Sequence, residues 1–90
     1  MSMTYRIQNY IKQRIYDLYE IKPTVFHYFN QINVIWTNYQ INIIHDYYHF
    51  EISFVNEIDG YEDVYDISDI NNVYDTIDDI LMHIKPRKLF

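Results

Sequence analysis

The hydrophobic period of this chain changes twice, and that change constrains the fold more than any other feature. Near the start Ile7, Ile11, Ile15 and Leu18 recur every three or four residues, with Tyr10 widening the stripe. This spacing predicts an amphipathic helix over 4–20. Thr4 or Ser2 is placed to cap it, and Pro23, which lacks an amide proton and disfavours a helical residue before it, bars its continuation. Near the end Ile70, Val73, Tyr74, Ile77, Ile80, Leu81 and Ile84 make a continuous apolar stripe that predicts a second helix over 69–84. Ser68 or Asp69 can cap it by accepting from the free amides of its first turn. Lys85, Arg87 and Lys88 complement the negative end of its dipole, and Pro86 closes it.

Between the helices the period falls towards two, in a stretch rich in β-branched and aromatic residues. The clearest strand is 48–55, with Tyr48, Phe50, Ile52 and Phe54 facing one way and His49, Glu51 and Ser53 the other. A turn follows at 56–60, where Gly60 can supply positive φ, and 61–67 returns as the antiparallel partner. Segments 24–29, 32–37 and 40–45 read as further strands of ambiguous phase. Pro23 can equally open a short second helix through Phe29, because proline is favoured at a first helical position. The expectation is one α+β domain over 1–90, an antiparallel sheet of three to five strands flanked by an N-terminal and a C-terminal helix.

Composition removes several function classes. Ninety residues have room for one core. The absence of cysteine excludes disulfide scaffolds, thiolate zinc sites and cysteine nucleophiles. One glycine is too few for a glycine-rich phosphate cradle. No apolar run is long enough to span a membrane or to serve as a signal peptide, so a cytoplasmic protein is the expectation. The lack of alanine, with abundant Ile, Asn, Tyr and Asp, is the coding bias of an AT-rich genome such as a low-GC bacterium, a phage or an archaeal virus.

Charge is unevenly spread. The chain carries a net −6, yet residues 51–84 alone contain ten acids and neither Lys nor Arg. Glu51, Glu57, Asp59, Glu62, Asp63, Asp66 and Asp69 lie on or beside the predicted hairpin. Asp75, Asp78 and Asp79 share the polar face of the second helix, where Asp75 and Asp79 repel at i, i+4 with nothing basic nearby in sequence. Such a face either keeps a small protein soluble or meets a basic partner. Tyr61, Tyr65 and Tyr74 are interleaved with the acids, and tyrosine is enriched at binding hot spots. Six of the seven basic groups, Arg6, Lys12 and Arg14 on the first helix with Lys85, Arg87 and Lys88 at the tail, make a poor footprint for nucleic acid beside that block. They suit instead the acidic face of a second copy, which would give a homodimer.

No motif names a reaction. His45, His49 and Glu51 would share one face of a continuous strand, two imidazoles and a carboxylate that can hold a metal, but a bend at Tyr47-Tyr48 would break the register and a fourth ligand is lacking. His27 and His83 stand alone. A calcium loop over 56–63 fails, because placing Gly60 sixth puts Val55 first. Ser2, Ser53 and Ser68 have no histidine beside them in sequence. The reading is a non-enzyme without cofactor or metal.

Size, acidity, AT-rich coding and the α–βββ–α order together resemble the small phage-encoded anti-CRISPR proteins that mimic DNA, a resemblance of profile over the whole chain. It implies a protein that binds a nucleic-acid-processing enzyme, a CRISPR effector foremost, and fills its basic groove without touching nucleic acid or membrane. Glu57, Asp59, Glu62, Asp63, Asp66, Asp75, Asp78 and Asp79 would then stand in for phosphates, with Tyr61 and Tyr65 as aromatic anchors. The alternatives are an immunity protein or antitoxin that neutralises a basic toxin, and a viral structural or assembly subunit that self-associates.

Overall fold

A computed structural model describes residues 3–84. It is α+β, in the order α1 (Met3–Tyr19), β1 (Thr24–Tyr28), β2 (Gln31–Trp36), β3 (Tyr39–His45), β4 (Phe50–Asn56), β5 (Tyr61–Ile67) and α2 (Ile70–His83). Ser2, Lys85, Pro86, Arg87 and Lys88, given roles in capping and charge above, lie outside the described residues.

Ile7, Ile11 and Ile15 of α1 are fully buried, as their period requires. Thr4 is itself helical and buried, so it is not the cap. The helix stops at Glu20, whose amide still reaches Tyr16 O at 2.8 Å while its own φ is +57°. Pro23 then leads into a strand rather than a second helix, because the Val25–Tyr28 run pairs with β2 through the turn at Phe29 and Asn30. In α2, Asp69 is the N-cap and accepts from Asn71 N at 2.9 Å.

Each of the five strands pairs antiparallel with its neighbour in sequence, giving the sheet order β1-β2-β3-β4-β5. Alternation sends Ile32, Val34 and Trp36, then Ile41 and Ile43, then Phe50, Ile52 and Phe54, to one buried face. There they meet the α1 isoleucines and Val73, Ile77, Ile80 and Leu81 of α2 in one hydrophobic cluster. Each fully buried isoleucine contributes roughly 1.5–3 kcal/mol through removal of its surface from water. Tyr48 does not join this row. It sits exposed in the β3–β4 turn, because Asp46 accepts from Tyr47 N and its own amide bonds His49 O, closing the turn before β4 begins at Phe50.

Both helices cover the same face, α1 against β2 and α2 against β4 and β5. They touch at Tyr10–Tyr74, Arg14–Asp78 and Tyr19–Leu81, so they run parallel. No helix among the described residues covers the opposite face. Its centre is a set of amides, with Gln31 Nε2 donating to Asn42 Oδ1 at 2.9 Å and Asn33 Nδ2 to Gln40 Oε1 at 2.8 Å. No helix among the described residues is long and apolar enough to cross a membrane.

Candidate partner-binding surface

The β4–β5 hairpin positions most of the acids. Its register sets Val55 opposite Glu62, Ser53 opposite Val64 and Glu51 opposite Asp66 on the uncovered face. On the helix side Asn56 faces Tyr61, Phe54 faces Asp63, Ile52 faces Tyr65 and Phe50 faces Ile67. One strand therefore splits the anticipated set: Glu62 and Asp66 stand on the open face, while Asp63, Tyr61 and Tyr65 turn towards α2.

Glu51 and Asp66 are like charges directly across from each other, an arrangement that destabilises a sheet. His49 Nε2 lies 3.3 Å from Asp66 Oδ1. The turn between the strands is pinned by Asn56, whose Oδ1 accepts from Ile58 N at 3.1 Å and from Asn38 Nδ2 at 2.8 Å. Gly60 takes φ +69° there and its amide bonds Asn56 O at 2.9 Å. Glu57 accepts from Gln40 Nε2 at 3.1 Å and Asp59 from Asn56 Nδ2 at 3.1 Å, so both carboxylates are exposed but anchored.

On the helix side Asp63 accepts from the hydroxyls of both Tyr61 and Tyr65, the latter at 3.1 Å, through the same oxygen. The bond to Asp63 raises the Tyr61 pKa, and burial, followed by that bond, raises the Tyr65 pKa. These tyrosines, Asp63 and Asp79 line a cleft of about 550 Å³ with Phe54, Thr76, Ile80, His83 and Ile84.

The second helix corrects part of the sequence reading. Asp75 and Asp79 are exposed, as expected. Asp78 is half-buried against α1, accepting from Tyr10 Oη at 2.7 Å and from Arg14 Nε at 3.0 Å. Its carboxylate is thus engaged within the fold, unlike those of Asp75 and Asp79, and Arg14 of the anticipated basic edge is its counter-ion. The supposed shared face of His45, His49 and Glu51 is also broken. His45 sits beside Phe50 on the helix side and stacks on its ring at 4.4 Å, whereas Glu51 lies on the open face and His49 in the turn.

One surface escaped sequence reasoning. The β1–β2 and β3–β4 turns are adjacent at one end of the sheet, tied by His45 N to Asn30 O at 2.8 Å and Asn30 Nδ2 to His45 O at 3.0 Å. At these tips Phe29 is 100% exposed, Tyr47 93% and Tyr48 88%. The available signal was an aromatic beside a turn-forming Asn or Asp, as in Phe29-Asn30 and Asp46-Tyr47. Comparison of the chain with protein-family models, curated proteins and solved structures finds no match.

Proposed function

We propose that this protein is a non-enzymatic inhibitor that binds a nucleic-acid-processing protein, a CRISPR effector foremost, and blocks its basic groove by charge mimicry. The observation that carries this reading is the acid ridge of the β4–β5 hairpin. Glu51, Glu62 and Asp66 project from the uncovered sheet face, Glu57 and Asp59 from the adjoining turn, and no Lys or Arg occurs between 51 and 84. At about 3.3 Å per residue, Glu62 and Asp66 are about 13 Å apart along one strand. A groove built for a duplex reads mainly regularly spaced negative charge, and carboxylates fixed on a sheet meet it with little loss of freedom. An immunity protein or antitoxin aimed at a basic toxin would use the same surface.

The test is affinity capture from host lysate along a salt gradient, followed by competition with duplex DNA. Retention of a nucleic-acid enzyme that salt elutes and DNA releases supports the reading. Binding unchanged by joint replacement of Glu51, Glu62 and Asp66 with Gln, Gln and Asn overturns it.

The exposed Phe29, Tyr47 and Tyr48 favour a second reading, a structural or assembly subunit that self-associates through these tips. Concentration-dependent oligomers that persist in high salt would support it, because screening weakens charged contacts far more than apolar ones.

A further inference from the structure

The chemistry of the cleft between β5 and the last turns of α2 differs from that of the acid ridge on the other side of the strand. Asp63 occupies a helix-side position opposite Phe54, which is 4% exposed, where strand alternation calls for an apolar side chain. Placing a carboxylate there incurs a desolvation cost. Edge strands do use inward charges to discourage pairing with other chains, but that role needs no aromatic surroundings. Here the charge is held between two tyrosines that both donate to one oxygen, leaving Oδ1 without a hydrogen bond from any described residue. Phe54 and Tyr61 meet edge to face at 6.4 Å beside it, and Asp79 stands on the helix side of the same cleft. Neither the Arg14–Asp78 ion pair nor the His49–Asp66 contact involves Asp63 or Asp79, and no described Lys or Arg lines the space.

We propose that this cleft receives a single arginine side chain of the partner protein, its guanidinium against Asp63 and Asp79 and its flat face on the Tyr61 and Tyr65 rings. The assignment rests on the partner-binding reading above and adds to it a side-chain specificity that acid density alone would not produce. Guanidinium is planar and weakly hydrated, donates in a fork that matches carboxylate, and stacks on aromatic rings. Ammonium is strongly hydrated and gains less from a half-buried aromatic site.

The experiment is a titration of the full chain with N-acetyl-arginine methylamide, and in parallel with its lysine counterpart, read from amide and tyrosine-ring NMR shifts. Saturable shifts at Tyr61, Asp63, Tyr65, Asp79 and Ile80 are expected, with the lysine probe roughly three- to fivefold weaker. Asp63→Asn, close to isosteric, should abolish saturation while the rest of the spectrum stays in place, and Asp79→Asn should weaken it if Asp63→Asn proves unfolded. Equal response to both probes, shifts spread evenly over all the acids, or an unaffected titration in both variants would overturn the proposal. So would saturation that emerges only after Arg87→Gln, which would assign the cleft to the chain's own C-terminal cation. The probe contains no partner protein. Arginine selectivity without capture of a basic protein would therefore refute the groove reading alone, and capture without arginine selectivity would refute this one alone.

Discussion

Tyr10 on α1 donates its hydroxyl to Asp78 on α2 at 2.7 Å, and Arg14, one helical turn further on, reaches the same carboxylate at 3.0 Å. These three residues form the side-chain part of a polar seam between α1 and α2, which the Tyr19 hydroxyl extends by donating to Leu81 O. Because Arg14 and Asp78 are each about a third exposed, solvent screens their attraction. Asp78→Asn should cost about 1–2 kcal/mol in urea unfolding, mostly from weakened charge-assisted hydrogen bonds. The same variant should leave capture of a basic partner unchanged, which separates Asp78 from the acids of the hairpin.

Alkaline titration offers a second check. Burial, helped by the bond to Asp78, pushes Tyr10 up to about 12, and burial alone does most of the same for Tyr19, whose hydroxyl donates to Leu81 O at 2.7 Å. A folded-state pKa above the unfolded value of 10.0 means that the unfolded chain loses its proton first as pH rises. The contribution of these groups is thus fully present below pH 10 and is lost progressively as pH climbs towards 12. Tyrosinate absorbance should lag at these positions, with Tyr10→Phe removing part of the lag, and the urea midpoint should fall between pH 10 and 11.

Glu20 ends α1 at φ +57°, a conformation that suits glycine, and sets a negative charge against the negative end of the helix dipole. Glu20→Gly should stabilise the protein by about 1 kcal/mol, seen as a raised urea midpoint with an unchanged slope.

The opposed Glu51 and Asp66 should trade stability against binding. At pH 8 and low salt, Glu51→Gln is expected to stabilise the fold by about 0.2–1 kcal/mol by removing a cross-strand repulsion. The gain should vanish in about 1 M salt. The same change should weaken capture of a basic partner, and a variant that gains stability without losing capture would remove Glu51 from the interface.

Much of the architecture was legible in local periodicity. The α2 stripe from Ile70 to Ile84 and the 61–67 return strand need only neighbours in sequence to define them, and both stand in the structure. The phase of β2 and β3 was harder to read because the uncovered face also carries aliphatic residues. Ile35 beside Val34, and Ile44 beside Ile43, blur the alternation that pairing across the sheet resolves. The site was legible as a segment but not as surfaces. Acids adjacent in sequence, Glu62 and Asp63, end on opposite faces of one strand. Asp78 looks like its neighbours Asp75 and Asp79 until a residue 64 positions away supplies its counter-ion. That partnership depends on where α1 packs, which no local pattern encodes.

The strictly sequential order of the strands has a kinetic consequence. Every strand pairs with the next through a short turn, so the sheet can assemble hairpin by hairpin without first closing a long loop. The seam between α1 and α2 is different, since it joins residues more than sixty positions apart. It should form after the rate-limiting step. Substitutions at Tyr10 or Asp78 would then accelerate unfolding while leaving the folding rate nearly untouched, and substitutions in the β3–β4 pairing would slow folding itself. The helix pair would act as the clasp that determines how long the acid-bearing sheet, once built, stays closed.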